Sequence, residues 1–225
     1  MNELYKKALR GLLFLSFFLA ILLFFPAWTF HYWEAWLFLA IFMTSTFAIT
    51  LYLFKYDMKL LERRMKRGSG AEKLHSQKII HALLQTAFIS ILIVSSLDHR
   101  FAWSVVPVYI IVIGDILVAA GLSIIFLVFK ENSFASATIQ ISVDQVIIST
   151  GPYGLVRHPM YGGAMVMFMG IPLSLDSYWG ILGSISLILI IIFRLLDEKK
   201  FLLAHLPGYE GYSSKVKYRL LPYIW

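Results

Sequence analysis

Four long apolar runs constrain what this chain can fold into. They extend from about Leu12 to Phe30, Ala35 to Phe54, Ile79 to Leu97 and Phe101 to Phe129. Each holds roughly 20 or more mostly apolar residues, enough for a helix to cross a bilayer. Hydrocarbon offers the backbone no hydrogen-bond partner, so such runs are read as α-helices. A shorter run, Tyr161 to Leu175, is broken by Gly170 and Pro172, and another, Tyr178 to Leu196, follows after Asp176-Ser177. These two read as a tight helical hairpin whose first arm crosses fully or only in part. The expectation is an all-α, multi-pass integral membrane bundle of about six helices, five full spans plus a short hairpin arm.

Composition enters here as an exclusion. The 225 residues are 59% hydrophobic and 16% aromatic, too apolar for a soluble domain. The length suits one membrane domain over 1–225, with a four-helix part over 1–130 and a C-terminal part over 131–225. The absence of cysteine excludes disulfides, thiolate metal sites and a cysteine nucleophile. The net charge of +7 reads as loop bias, with no call for nucleic acid. If the N-terminus is cytoplasmic and six helices cross, every lysine and arginine except Arg100 falls on the cytoplasmic side. Both termini are then cytoplasmic. The first run lacks a small-x-small cleavage site before Leu22-Leu23-Phe24-Phe25-Pro26, so it is a retained helix. Between the first two runs, Trp28 to Trp36 forms an aromatic belt.

Three polar segments share the cytoplasmic face in this arrangement. Tyr56 to Gln77 reads as an interfacial amphipathic helix ending at Gly68-Ser69-Gly70. Lys130 to Thr150 is polar and turns β-like over Thr138 to Val143. It leads into Gly151-Pro152-Tyr153-Gly154-Leu155-Val156-Arg157-His158-Pro159-Met160-Tyr161-Gly162-Gly163. Glycine and proline break regular helix here. An Arg-His pair against a membrane segment is costly unless something binds it. The stretch is either the floor of a cofactor site at the membrane surface or an interfacial loop whose Arg157 snorkels to headgroups. The third segment is the tail, Asp197 to Trp225. In it Glu198 lies at i+4 from Arg194, an ordinary helix-face pair, and Tyr209 and Tyr212 lie at i and i+3. Within the spans, Asp115 should face the bundle interior, either as a functional group or as a helix–helix hydrogen bond. No HExxH pattern, His/carboxylate cluster with metal-ligand spacing or dinucleotide fingerprint is visible, so no metal site is expected.

Taken in order, these residues resemble the isoprenylcysteine carboxyl methyltransferase family and its phospholipid N-methyltransferase relatives. The resemblance rests on Gly151-Pro152-Tyr153, on Arg157-His158-Pro159-x-Tyr161, and on the hairpin that follows. It continues through Asp197-Glu198, Tyr209 and Tyr212, Val216, Arg219 and Pro222. It covers about the last 80 residues. Asp197 stands where the family usually has glutamate, and Leu206 where it has glycine. The resemblance implies S-adenosyl-L-methionine held on the cytosolic face. Its implied binding residues are Tyr153, Val156, Arg157, His158, Pro159, Tyr161, Gly162, Gly163, Glu198, Tyr209 and Tyr212. Arg157 and Glu198 would be closest to the chemistry. Arg157, His158 and free N–H groups around Gly162-Gly163 suit the methionine carboxylate, and tyrosine faces suit the sulfonium and adenine. The implied acceptor is lipidic or prenylated, drawn from among membrane lipids, with a carboxylate or an amine as nucleophile. Membrane sterol reductases, which use a nicotinamide cofactor, resemble the same C-terminal pattern, and a non-enzymatic scaffold is a third reading.

Overall fold

The computed structural model describes residues 2–65, 75–135 and 146–225. Among the described residues there are eight α-helices and no strand. They are α1 (Asn2–Ala27), α2 (Trp33–Tyr56), α3 (Met58–Met65), α4 (His75–Phe101), α5 (Val108–Glu131), α6 (Pro159–Ser174), α7 (Gly180–His205) and α8 (Tyr209–Lys215). Five of them, α1, α2, α4, α5 and α7, are long and apolar enough to cross a membrane. The β-like expectation over Thr138 to Val143 lies outside the described residues. So does the C-terminal half of the expected interfacial helix, whose first half is α3.

The apolar residues divide between an interior and an outer face. Leu19 and Leu23 of α1, Phe38 of α2, Ile91 and Leu92 of α4, Val118 of α5, Ile171 of α6 and Leu187 of α7 join in one buried cluster. Phe14, Phe17, Ile116, Leu189 and Phe193 remain largely exposed on the outside. Such apolar surface suits lipid as its solvent.

The tightest contact joins α5 and α6. Gly114 and Gly121 lie seven residues apart on α5, and Gly163 and Gly170 seven apart on α6. A Cβ on Gly121 would lie 2.5 Å from the Gly163 carbonyl oxygen, and one on Gly170 would lie 2.6 Å from the Gly114 carbonyl oxygen. Only glycine lets the two antiparallel backbones approach this closely.

The helix ends gather at two poles. At one pole, Arg63 of α3 donates to the Ser133 carbonyl at 2.7 Å, and Arg64 lies 4.8 Å from the Phe129 ring centre. Ser76 and Gln77, at the start of α4, hydrogen-bond the Asp197 carboxylate near the end of α7. At the opposite pole, Tyr32 donates to the Leu175 carbonyl at 2.6 Å, and Ser177 donates to Asp98 at 2.6 Å. The short hairpin arm α6 therefore runs from one pole to the other. Its 16 residues reach only about 24 Å. The fully buried Asp98 shows how the span closes: the end of α4 turns inward to meet the hairpin. Arg100 sits at this opposite pole, 5.6 Å from the Trp28 ring centre.

Candidate functional site

The Gly/Pro stretch is a scaffold for the pole that carries α3. Gly151 has φ +54°, a left-handed conformation that glycine adopts without strain. It opens a short 3-10 turn over Gly151–Gly154. Asn132, just past α5, donates to the Tyr153 hydroxyl at 2.8 Å, and Thr150 bonds the Glu131 carboxylate. The end of α5 thus fixes the turn. Pro159 then begins α6, where a missing N–H costs nothing.

The tail closes over this stretch. The Arg157 N–H donates to the Tyr218 carbonyl and the His158 N–H to the Arg219 carbonyl, each at 2.9 Å. The Arg157 guanidinium donates through Nη2 to the Lys217 carbonyl at 2.8 Å. Its Nε is buried without a hydrogen-bond partner. Tyr212 donates to the Tyr153 carbonyl at 2.8 Å, which anchors α8 on the turn. Gly208 begins α8 with φ +82°, and α8 presents Tyr209 and Tyr212 on one buried face, ring centres 5.9 Å apart.

Between these parts is an open pocket of about 830 Å³, counting its mouth. Tyr153, Arg157, His158, Pro159, Tyr161, Glu198, Tyr209 and Tyr212 all line it. The polar side is a network. The Tyr161 hydroxyl donates to Glu198 at 2.6 Å and accepts from Arg194 Nε at 3.1 Å. The Tyr161 phenol therefore lies between the two members of the i,i+4 pair read from sequence. His158 is almost fully buried, 3.5 Å from the Tyr209 hydroxyl. Burial first, then the charges of Arg157, Arg219 and Lys199, push its imidazole down to about 3. His158 is thus neutral at physiological pH and offers one ring N–H as donor. Burial pushes the Tyr153 and Tyr209 phenols up to about 12, so both remain protonated donors.

Three expected site residues do not line the pocket. Val156 is buried in packing. The Gly162 N–H donates to the His158 carbonyl at 3.2 Å, so it is not a free donor. Gly163 is one of the glycines that bring α6 against α5. The sequence signal for the pair was backbone access to a ligand, whereas the Gly163–Gly170 spacing of one heptad pointed to helix packing. Conversely, Asn132, Phe134, Ile147 and Leu202 line the pocket although sequence reasoning did not single them out, and so does Leu206, noted there only as a departure from the family pattern. Phe134, Ile147, Leu202 and Leu206 supply its apolar wall. The one available signal was Leu206, which stands where the resembling family has glycine.

A His/carboxylate cluster, not visible in the sequence, forms at the other pole from Glu34, His99 and Asp176. These residues come from the start of α2, the end of α4 and the α6–α7 connection, and share no spacing. Asp115 does face the interior, as expected, and neither carboxylate oxygen has a hydrogen-bond partner.

The fold and site define a polytopic helical membrane protein with a polar pocket at one pole. Residues 109–206 match the phospholipid methyltransferase family. No curated protein gives a significant match. The matched stretch runs from α5 through the hairpin to the end of α7, so it includes Tyr153 to Tyr161 and Glu198. It begins earlier than the sequence resemblance and stops before Tyr209, Tyr212 and Arg219. A little under half of the chain is thus similar to that family, within a helical fold that has five helices long and apolar enough to cross a membrane.

Proposed function

We propose that the protein is an S-adenosyl-L-methionine-dependent methyltransferase acting on an amine-bearing lipid head group. The carrying observation is the donor set of the pocket inside the matched stretch. The orphaned Arg157 Nε, the remaining guanidinium and the neutral His158 fit an amino-acid carboxylate. Tyr209 and Tyr212 present aromatic faces suited to a cation or a purine. Glu198 puts a carboxylate on the same wall.

When bound, the cofactor supplies an electrophilic methyl on a sulfonium. The chain's residues position the reactants and manage charge. Arg157 and His158 orient the amino-acid end. Phe134, Ile147, Leu202 and Leu206 exclude water, which strengthens each polar contact in the pocket. An acceptor amine must lose its proton before it attacks, and Glu198 takes that role as base or through an ordered water. A carboxylate acceptor needs no base and would be repelled by Glu198, so the arrangement favours the amine. In this reading the pocket pole is cytoplasmic, with both termini on that side.

The test is thermal stabilisation of the detergent-purified protein with S-adenosylhomocysteine beside NADPH. A ligand at about 100 times its dissociation constant adds roughly 2.7 kcal/mol. Stabilisation by S-adenosylhomocysteine alone, with labelled methyl passing into phosphatidylethanolamine, supports the proposal. Stabilisation by NADPH alone would replace it with a reductase.

A further inference from the structure

At the pole away from the pocket, two carboxylates behave differently. Asp98 is fully buried and its oxygens are engaged. It accepts the Ser104 N–H at 2.7 Å, the Ser104 hydroxyl at 2.6 Å and the Ser177 hydroxyl at 2.6 Å. These bonds fix the hairpin turn to the end of α4. Glu34, in the first turn of α2, is 6% exposed, and its Oε2 has no hydrogen-bond partner. A buried carboxylate oxygen left without a donor is costly.

The Glu34 carboxylate lies beside His99 and Asp176. One ligand atom from each of Glu34, His99 and Asp176 can be chosen so that all three lie within 4.8 Å of one another. His99 Nδ1 is 4.0 Å from Asp176 Oδ2. The ring of His99 is held flat on Tyr32, centres 3.8 Å apart. Asp176 is held by the Val106 N–H on its other oxygen, at 2.8 Å, and sits in a left-handed backbone conformation. The Tyr32 hydroxyl is already committed to the Leu175 carbonyl. His99 and Asp176 are therefore oriented by neighbours that do not compete for the space between them and Glu34. His99 and Asp176 are each about one-fifth exposed, which gives an ion a route in from solvent.

We propose that Glu34, His99 and Asp176 form a divalent transition-metal site, with zinc the first choice. One imidazole and two carboxylates balance a dication's charge. An imidazole nitrogen selects zinc over magnesium or calcium, which prefer all-oxygen shells. Metal–ligand distances of about 2.0–2.2 Å require the three groups to draw together by roughly an ångström, and water completes the coordination. The ion would clamp the start of α2, the end of α4 and the α6–α7 turn. Its role is structural, and it stands or falls independently of the methyltransferase reading.

The test uses the full-length protein, purified without a histidine tag and treated with chelator. Equilibrium dialysis against Zn²⁺ should leave roughly one ion per chain. Zn²⁺ should raise the thermal midpoint, whereas Mg²⁺ and Ca²⁺ should not. Glu34→Gln and His99→Gln should each weaken zinc retention at least tenfold, while His205→Gln, exposed at the far pole, should retain it. Loading the parent with Co²⁺ should give the visible absorption of a low-symmetry nitrogen/oxygen site, a readout that requires no variant to fold. Absence of both retained zinc and cobalt absorption in folded parent would overturn the proposal. So would unchanged zinc retention in the Glu34→Gln/His99→Gln double variant.

Discussion

At the residue scale, the Tyr161 hydroxyl is the most informative group. It bridges Arg194 and Glu198 inside a part-buried network. Tyr161→Phe keeps the ring and removes the bridge. It should cost about 1–3 kcal/mol of stability, read as a lower thermal midpoint. Glu198→Gln keeps the shape and removes the charge. It should reduce methyl transfer at least about tenfold, equivalent to about 1.4 kcal/mol in the barrier. Recovery of that rate at high pH, where an amine sheds its proton unaided, would identify Glu198 as base. Equal turnover in both proteins would leave Glu198 with a structural role only. His158 gives a pH prediction. Its folded value of about 3 lies below the ordinary imidazole range near 6.5. Between those values the unfolded chain binds more protons than the folded one, so stability rises with pH across the window and falls on acidification. The contribution approaches about 1.4 kcal/mol per pH unit inside the window. His158→Gln should flatten that acid limb in denaturant titrations at pH 4–6, and an unchanged slope would refute the assignment.

At the element scale, α6 carries the site and α5 positions α6. A methyl group at Gly121 would meet the Gly163 carbonyl oxygen and the Met167 amide nitrogen, both at 2.5 Å. These are backbone atoms that cannot rotate away. Gly121→Ala should therefore separate the two helices, lower the thermal midpoint by several degrees and weaken S-adenosylhomocysteine binding. Gly11→Ala, where the new methyl meets nothing within 4 Å, is the matched control. Equal thermal midpoints for the two variants would show that α5 and α6 tolerate a wider spacing. The spans themselves were legible in the sequence, because burial in lipid needs only a long apolar run. The interhelical glycine contacts were overlooked, because Gly163 sits beside Gly162 in a stretch that already had a chemical reading. The cluster of Glu34, His99 and Asp176 was not legible, since proximity there is created only by the way two helix ends and the α6–α7 turn meet. The pocket was legible as far as its motif residues. Its apolar wall was not, because Phe134, Ile147 and Leu202 resemble any interfacial residue until α7 and the tail come together.

At the scale of the whole molecule, the two poles should lie on opposite sides of the membrane. The chain has no cysteine, so single introduced thiols report sidedness directly. Lys59→Cys and Ser214→Cys should label from one side, and His31→Cys from the other. Labelling of positions 59 and 214 from opposite sides would break the arrangement. The tail has a consequence of a different kind. The residues whose carbonyls receive the Arg157 and His158 amides also bring the Arg219 charge beside the imidazole. Lifting the tail would re-expose the ring to water and remove that charge, and His158 would titrate near neutrality again. Its proton is thus a gauge of whether the pocket is shut. Nuclear magnetic resonance of that one ring, followed across pH, could time the lifting and settling of the tail without a ligand or a reaction.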